Sequence, residues 1–217
     1  MENCSIVVTD LDLAEAVTDE YGVKYSRDGK RLLKAPRELS GSYIIKPGTK
    51  VICDSAFSYC ELTNIVFPDS VMCIGDYAFW GCESLRNIVI PNSVTHIGDC
   101  AFGFCGSLES ITIPASVKEV KGNPFCRWHG ELINKSPYFT YEDYVLFSKN
   151  KDKLIAFRQQ NATSYVIPVG FTHICDHAFS GCGLLESITI SGSVASIGYG
   201  AFWWCKSLIG IEIPDSV

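Results

Sequence analysis

Charged residues are scarce in this chain of 217 residues. They make up 19% of the composition, whereas they are about a quarter of a typical soluble domain. The net charge is −6 and no cluster of lysine and arginine stands out, so we expect no nucleic-acid partner. Long apolar runs are also missing. No segment approaches the roughly 20 residues that cross a bilayer as a helix, and we expect no membrane insertion.

The motifs that commonly carry catalysis or metal binding are missing too. No glycine-rich phosphate loop follows a strand pattern, and no histidine is linked by a motif to a nucleophile. Cys73, His96 and Glu119 recur at intervals of 23 residues, but such a column spreads ligands along a line, whereas zinc requires four that converge. We therefore expect no enzyme activity, no cofactor and no metal site.

The first residues do not resemble a secretory signal. Acidic residues occur within residues 1–10, where a signal has basic ones, and the apolar stretch is too short for a signal's hydrophobic region. Two interpretations stay open. Either the chain is cytoplasmic, or the sequence lacks the true N-terminus of an exported protein.

What the chain has instead is a repeat built around Ala-Phe-x-x-Cys. Successive phenylalanines of this motif are 22 or 23 residues apart wherever the repeat is uninterrupted. A period in the twenties indicates one supersecondary unit that buries its apolar face only by stacking on its copies. The sequence therefore predicts a single solenoid domain over residues 1–217. The phenylalanines are Phe57, Phe79, Phe102, Phe125, Phe179 and Phe202.

Each repeat also contains a short alternating β-branched segment, such as Ile88-Val89-Ile90, in most copies followed at once by proline. Such segments predict three- or four-residue strands that lie in parallel along one wall of the coil. Alternation places Leu85, Ile88 and Ile90 inside the coil, with Asn87 and Val89 outside. The Ala-Phe-x-x-Cys segment then forms a short helical or 3₁₀ turn on the opposite wall, and its phenylalanines stack in the core.

Eleven cysteines would suggest disulfides in a small secreted protein. Five of them occupy one repeat position, however, and side chains in such a column point the same way, whereas disulfide partners must face each other. We therefore expect these five to be buried, reduced thiols, because free cysteine behaves as a small hydrophobe. They are Cys60, Cys82, Cys105, Cys182 and Cys205.

Two irregular stretches match each other, since residues 21–57 align on residues 143–179 at an offset of 122. In both, apolar runs flank a polar turn, which predicts a β-hairpin. Thr9 or Asp10 is the expected N-cap of a short helix that covers the open first coil. The predicted organisation is a cap at 1–20, a hairpin module at 21–42, coils at 43–126, a second hairpin module at 127–164, and coils at 165–217.

The last residues, 214–217, read as the beginning of another repeat. This pattern predicts an open final coil. It indicates either a truncated chain or an end that is closed by a second molecule, so self-association through this coil is an expectation.

The repeat resembles the BspA-like class of leucine-rich repeats. Its consensus is roughly Val-x-x-Ile-Gly-x-x-Ala-Phe-x-x-Cys-x-Ser-Leu-x-x-Ile-x-Ile-Pro-x-Ser, and residues 21–36 resemble the hairpin insert of bacterial members. The resemblance covers roughly residues 21–217. It implies an α/β, right-handed leucine-rich-repeat solenoid with two inserted hairpins. It also implies a cell-surface or secreted bacterial protein that adheres to host matrix proteins or to other microbes.

Two sets of side chains are candidate binding residues. The outward face of the strands forms one set, although small polar and β-branched residues are also what a solvated strand tolerates. Aromatic residues after the phenylalanine column form the second, although packing of each on its neighbour's turn is the favoured alternative. The face consists of Asn64, Val66, Asn87, Val89, Ser110, Thr112, Ser187, Thr189 and Glu212, and the aromatic set of Tyr59, Trp80, Phe104, Trp203 and Trp204.

The favoured hypothesis is a non-enzymatic module that binds another protein, because the repeat builds an extended surface and no catalytic pocket. The alternative is a structural spacer or assembly segment of a longer repeat protein, with no ligand of its own. The open final coil favours the spacer, and the aromatic residues at variable positions favour the binding module.

Overall fold

The computed structural model describes residues 5–217, so residues 1–4 of the predicted N-terminal cap lie outside the described residues. The sequence predicts one solenoid domain. The described residues form two compact units, which are divided between Ser136 and Pro137 and are called unit 1 and unit 2 below. Each consists of coils whose short strands pair with the same strand of the next coil.

Unit 1 contains one short helix and twelve strands among its described residues. They are α1 (Asp10–Ala14), β1 (Val17–Thr18), β2 (Lys24–Tyr25), β3 (Arg31–Lys34), β4 (Ser40–Ile44), β5 (Val51–Ile52), β6 (Glu61–Val66), β7 (Cys73–Ile74), β8 (Asn87–Ile88), β9 (His96–Ile97), β10 (Ser110–Ile113), β11 (Glu119–Val120) and β12 (Glu131–Asn134).

The strands of unit 1 line two walls, where the sequence predicts one. The predicted wall consists of the sheet β4-β6-β8 and the pair β10-β12, all parallel. The second wall is a seven-stranded sheet in the order β1-β2-β3-β5-β7-β9-β11. Most of its strands are two residues long, too short to show an alternating pattern in the sequence. Gly75 and Gly98 directly follow strands β7 and β9 of this wall.

The Ala-Phe-x-x-Cys segments form turns, and the predicted helical or 3₁₀ wall is wrong. Backbone N–H groups in these segments donate alternately to the next coil and to their own coil. Phe57 N donates to Ala78 O of the next coil at 2.8 Å, whereas Cys60 N donates to Phe57 O of its own coil at 3.1 Å. Ser55 and Tyr59, with φ of 56° and 62°, supply the left-handed residues of this alternation. A helix would instead keep all these bonds within one coil.

The phenylalanine column forms as predicted. In unit 1 the rings of Phe57, Phe79, Phe102 and Phe125 are buried and nearly parallel. Their centroids are 5.2, 5.6 and 6.4 Å apart from one coil to the next. The stacked rings therefore form a continuous core through this unit.

The N-terminal segment of unit 1 covers the side of the coils, whereas the sequence predicts a cover over the open first coil. Ile6 and Val8 pack with others of the segment against Val51, Cys53 and Cys73, which belong to successive coils. Helix α1 has Thr9 as its N-cap, as expected, and a capping box with Asp12. The segment lies on the side because the outward residues of the second wall are apolar there.

Arg31 holds this segment in place. Its guanidinium donates to the Val7 carbonyl and the Asp12 carboxylate, at 2.6 Å each, and to the Ser5 carbonyl at 3.1 Å. The Thr9 backbone N–H and Arg31 lower the pKa of Asp12 to about 2. The charged pair and the apolar contact together fasten the segment to strand β3.

Unit 2 repeats this plan with fewer coils. Its strands are β13 (Phe139–Glu142), β14 (Val145–Ser148), β15 (Lys153–Phe157), β16 (Ser164–Val166), β17 (His173–Ile174), β18 (Ser187–Thr189), β19 (Ser196–Ile197) and β20 (Gly210–Ile211). They form the sheets β13-β14-β15-β17-β19 and β16-β18-β20.

Antiparallel strands lie where the sequence predicts hairpins. Strands β2 and β3 pair antiparallel in unit 1, and β14 and β15 pair likewise in unit 2. Each pair gains a third antiparallel strand, β1 or β13. Phe157 of β15 also extends the phenylalanine column of unit 2, with its ring centroid 4.9 Å from that of Phe179.

Candidate functional site

The predicted sheet face points outward in unit 1. Asn64 pairs with Asn87 across β6 and β8, and both rows of the face run across these strands. Val66 and Val89 expose 45% and 79% of their surface, while the inward Ile88 and Ile90 are buried. Alternation along the strand therefore assigned these directions correctly.

The structure extends the apolar row beyond the predicted residues. Ile44 pairs with Val66, and Ile133 pairs with Thr112. Ile44 and Ile133 expose 69% and 38% of their surface. Sequence reasoning missed both, because strands β4 and β12 flank the irregular modules and lack the full repeat motif. The resulting row is called the unit 1 stripe below and consists of Ile44, Val66, Val89, Thr112 and Ile133.

The same face of unit 2 is shorter and more polar. Ser187 pairs with Gly210, and Val166 pairs with Thr189. Val166 exposes 65% of its surface, and Thr189 and Glu212 are also exposed. A single aliphatic residue in this row gives unit 2 less apolar surface here than the unit 1 stripe offers.

The predicted aromatic set divides between the units. In unit 1, Trp80 lies at the centre of a cluster with Tyr59 and Phe104. Its indole N–H donates to the Tyr59 hydroxyl at 3.1 Å, and its ring centroid is 4.5 Å from that of Phe104. The Arg37 and Arg127 guanidiniums lie 5.2 and 4.5 Å from the centroids of Tyr59 and Phe104. These mutual contacts favour packing over a free contact patch for Trp80 and Phe104.

Glycines make room for this cluster. A Cβ at Gly81 would come within 2.7 Å of the Tyr59 ring, and one at Gly103 within 2.5 Å of Cζ3 of Trp80. The two residues before the column cysteine are Trp80-Gly81 in one coil and Gly103-Phe104 in the next, so the aromatic residue and the glycine exchange places. Each ring therefore lies over a glycine of the next coil. Tyr59 still exposes 53% of its surface.

In unit 2 the aromatic set consists of Trp203 and Trp204. Their rings meet edge to face with centroids 6.0 Å apart, and they expose 44% and 41% of their surface. The Lys206 ammonium lies 4.8 Å from the Trp204 centroid. These tryptophans are more exposed than Trp80, and they remain candidates for contact with a partner.

The five column cysteines form no disulfide in the described residues, and their thiols lie in the core or at its edge. Each thiol donates to a backbone carbonyl of the preceding coil, a contact that the sequence did not predict. The distances are 3.3 Å for Cys60 to Pro36, 3.1 Å for Cys82 to Phe57, 3.2 Å for Cys105 to Phe79, 3.7 Å for Cys182 to Phe157 and 3.1 Å for Cys205 to Phe179.

Burial makes these thiols unreactive. It raises the pKa of Cys60 and Cys105 to about 12 and that of Cys205 to about 11, and it raises the pKa of Cys82 and Cys182 as well. Because the thiolate is the nucleophile, the column offers no group for covalent catalysis.

The fourth coil departs from the repeat. Trp128 occupies the position of the column cysteine and is buried, and its indole N–H donates to Leu108 O at 2.7 Å. Cys126 in the same coil forms a disulfide with Cys100, with the two Cα atoms 5.3 Å apart. Neither cysteine belongs to the column, so the expectation of reduced thiols did not cover this pair.

Cys73, His96 and Glu119 share a row, as their spacing predicts, but they do not converge on one point. Cys73 is fully buried, whereas His96 and Glu119 are exposed on the strands that follow. His96 Nε2 lies 3.4 Å from a Glu119 carboxylate oxygen. The three side chains thus differ in burial and accessibility.

Three carboxylates of unit 1, of which Asp99 is buried and Asp54 and Asp76 are partly buried, accept hydrogen bonds from the backbone of the next coil. The Asp54 carboxylate accepts a bond from Asp76 N at 2.7 Å, that of Asp76 accepts from Asp99 N at 3.0 Å, and that of Asp99 accepts from Asn123 N at 2.9 Å. The Lys121 ammonium lies 2.5 Å from an Asp76 carboxylate oxygen and neutralises its charge. Burial raises the pKa of Asp54 despite its bond from Asp76 N. Each aspartate therefore joins one coil to the next.

A family model for the BspA type leucine rich repeat region matches residues 42–151 and 153–217, in six copies. The chain belongs to the BspA-type leucine-rich repeat family. In these BspA-type repeats, the constant residues form the core and turns described above, and the residues of the two candidate surfaces vary. No curated protein sequence matches the chain significantly.

Solved structures of bacterial leucine-rich repeat proteins share this BspA-type fold. A leucine-rich repeat protein from Eubacterium ventriosum is 29% identical with a TM-score of 0.70, over 81% of this chain and 48% of that protein. A leucine-rich cell surface protein from Faecalibacterium prausnitzii is 23% identical with a TM-score of 0.60, and the match covers 92% of this chain and 76% of that protein. The pneumococcal vaccine antigen PcpA is 19% identical with a TM-score of 0.61, and the match covers 100% of this chain and 72% of that protein.

The chain thus spans about half the length of the Eubacterium protein. The likeness to the Faecalibacterium and pneumococcal structures shows the shared fold. Among residues 5–217, no helix has the length and apolar character that a membrane span requires.

Proposed function

We propose that this chain is a non-enzymatic, protein-binding repeat module of a bacterial cell-surface or secreted protein, and that it binds through the unit 1 stripe. The observation that carries the proposal is the exposure of Ile44, Val66 and Val89 at 69%, 45% and 79% on one face. Contiguous apolar surface of this kind is typical of interaction sites.

The stripe has the shape of an interface as well as its composition. Neighbouring strands lie about 4.8 Å apart, so five strand positions extend over roughly 19 Å. The parallel row beside it carries Asn64, Asn87 and Ser110, which offer hydrogen-bonding groups without charge. An apolar centre with a polar margin is the usual arrangement of protein interfaces.

Two observations support a surface or secreted location. Family membership is one, because the resemblance implies bacterial surface proteins. The other is the disulfide between Cys100 and Cys126, because disulfides persist mainly in oxidising compartments. Partial reduction followed by mass spectrometry of the protein recovered from its native cells tests this location. An oxidised pair supports it, and a fully reduced pair contradicts it.

The binding test uses immobilised host matrix proteins and whole bacterial cells as probes. The double variant Val66→Asp/Val89→Asp places two charges in the stripe and should weaken binding at least tenfold. Leu184→Asp, at a residue of unit 2 with 53% exposure outside the face, is the matched control and should bind like the wild type. Equal binding by the double variant, with its fold intact by circular dichroism, would refute the proposed surface.

The second candidate is a structural or assembly segment. It is favoured by the last coil of unit 2, where Ile213 exposes 53% of its surface, although the equivalent Ile190 exposes 8%. Phe202 is likewise more exposed than Phe179. Concentration-dependent association in sedimentation velocity, abolished by Ile213→Asp, would support this candidate. A monomer at all concentrations would count against it.

A further inference from the structure

Unit 2 contains a cleft of about 490 Å³ between its hairpin module and its first coil. Phe147 and Phe171 line it, with ring centroids 5.0 Å apart. Val169, which exposes 88% of its surface, lies at the rim. The cleft is therefore open to solvent and has both apolar and polar residues in its lining.

The charged groups of the cleft come from the hairpin. Glu142 and Lys151 neutralise each other, with Nζ 2.6 Å from a carboxylate oxygen. Within the described residues, the Asp143 carboxylate has no cation paired with it. Burial raises the pKa of the Tyr165 phenol, and the charge of Asp143 raises it further, so this carboxylate acts on the cleft.

The backbone holds Asp143 rigidly. Asp143 and Tyr144 have φ of 47° and 60°, the two left-handed residues of a tight hairpin turn. The Gln159 side chain donates to the Asp143 carbonyl at 2.7 Å. The turn therefore fixes the backbone of Asp143 beside the cleft, and its side chain is exposed to solvent.

Unit 1 indicates what such a cleft accepts, because residues 21–57 align on residues 143–179. Lys46, the counterpart of Pro168, places its ammonium 4.6 Å from the centroid of Tyr25, which is the counterpart of Phe147. In unit 1 the chain thus lays its own lysine on the equivalent ring. In unit 2 proline replaces this lysine, and Asp143 occupies the sequence position of Tyr21. Lys151 of the hairpin lies near the equivalent ring, with its ammonium 5.9 Å from the Phe147 centroid, and it would compete with a cation from a partner.

We propose that the unit 2 cleft binds a lysine or arginine side chain of a partner protein. The aliphatic part of that side chain packs on Val169 and on the small exposed parts of Phe147 and Phe171, which expose 7% and 3% of their surface, and its cationic head pairs with Asp143. Cations are attracted to aromatic faces, and the attraction grows as water is excluded. This site is separate from the unit 1 stripe and goes beyond the function proposed for it.

The test is an NMR titration of the whole chain, with the methyl groups of Val169 and the rings of Phe147 and Phe171 as reporters. The probes are the blocked tripeptides acetyl-Gly-Lys-Gly-amide and acetyl-Gly-Arg-Gly-amide, and the neutral acetyl-Gly-Gln-Gly-amide. Saturable shifts with either basic peptide, and none with the glutamine peptide, support the proposal. No saturable shift with either basic peptide, or equal shifts with the glutamine peptide, overturns it.

Variants separate the site from general attraction to an acidic protein. Asp143→Asn should weaken binding at least tenfold, whereas Glu186→Gln, which removes an exposed carboxylate outside the cleft, should leave it unchanged. Lys151→Met removes the competing cation and should strengthen binding. Unchanged affinity in Asp143→Asn would overturn the proposal.

Pro168→Lys is a further variant, and it reproduces the arrangement of unit 1. Its own ammonium should occupy the cleft and abolish binding of the basic peptides. Retained binding in a folded Pro168→Lys chain would contradict the assigned site. Val66→Asp/Val89→Asp should leave this titration unchanged, so failure here is distinguishable from failure of the unit 1 stripe.

Discussion

Truncation of two phenylalanines in unit 2 should have very different costs. Phe179 is fully buried, and its ring lies 4.9 Å from Phe157 and 5.3 Å from Phe202, centroid to centroid. Phe179→Ala removes the ring and leaves a cavity that is enclosed between two coils. Both the transfer term and the cavity term apply, so the free energy of unfolding should fall by about 3–5 kcal/mol.

Phe202 has a neighbour of the column on one side only and is partly exposed. Phe202→Ala leaves a surface dent instead of a closed cavity, so only part of the transfer term is lost. Full burial of a phenylalanine contributes roughly 1.5–3 kcal/mol, and we expect a loss of about 1 kcal/mol for this ring. The two variants should therefore differ by at least about 2 kcal/mol.

Urea unfolding followed by circular dichroism measures the global change. Repeat proteins can lose end coils separately. Hydrogen exchange of peptides from residues 165–217, measured by mass spectrometry, therefore reports the local stability of unit 2. A loss for Phe202→Ala as large as that for Phe179→Ala would refute the reasoning, because it would mean that the last ring is as enclosed as its neighbour. A loss below about 1 kcal/mol for Phe179→Ala would refute the cavity argument.

Three further predictions concern the thiol column, a turn and the aromatic cluster. The pKa values of the column thiols are raised in the folded chain, so on raising the pH the unfolded chain loses these protons first. The free energy of unfolding should therefore be constant below about pH 9 and fall between about pH 9 and 12, which urea midpoints measured across this range would show. A midpoint that does not change with pH would contradict burial of the thiols. Ser55→Gly should raise the free energy of unfolding by about 0.5–1 kcal/mol, because φ is 56° and glycine removes the strain, while Ser55→Val should lower it. Trp80→Ala should lower the free energy of unfolding by about 2 kcal/mol, and Tyr59→Phe should lower it by under about 1 kcal/mol. An unchanged melting temperature in Trp80→Ala would contradict the packing role of Trp80 and favour its role in contact with a partner.

Features that depend on local periodicity were predictable from the sequence. The spacing of Phe57 and its equivalents implied a stacked core, and the rings do stack. The alternation of Asn87, Ile88 and Val89 implied which side chains face outward, because successive residues of a strand point to opposite faces. The reduced state of the column cysteines followed from their shared repeat position.

Other features depend on contacts that leave little local trace. Strand pairs such as β7 and β9 are two residues long, so only pairing with the next coil identifies them. The turns replaced the expected helical segment, because alternate peptide groups bond to a neighbouring coil. Ile44 and Ile133 joined the unit 1 stripe through pairing with Val66 and Thr112, not through a motif of their own.

The sequence by itself determined that the chain is a solenoid with its constant residues as core, because a unit of 22 or 23 residues buries its apolar face only by stacking on its copies. The resemblance of the repeat motif indicated the BspA type. Only the tertiary structure decided where the N-terminal segment packs, that Cys100 meets Cys126, and that Asp143 stands beside an aromatic cleft. Each of these joins residues from different coils or modules, and such distances are set by the folded chain and not by sequence spacing.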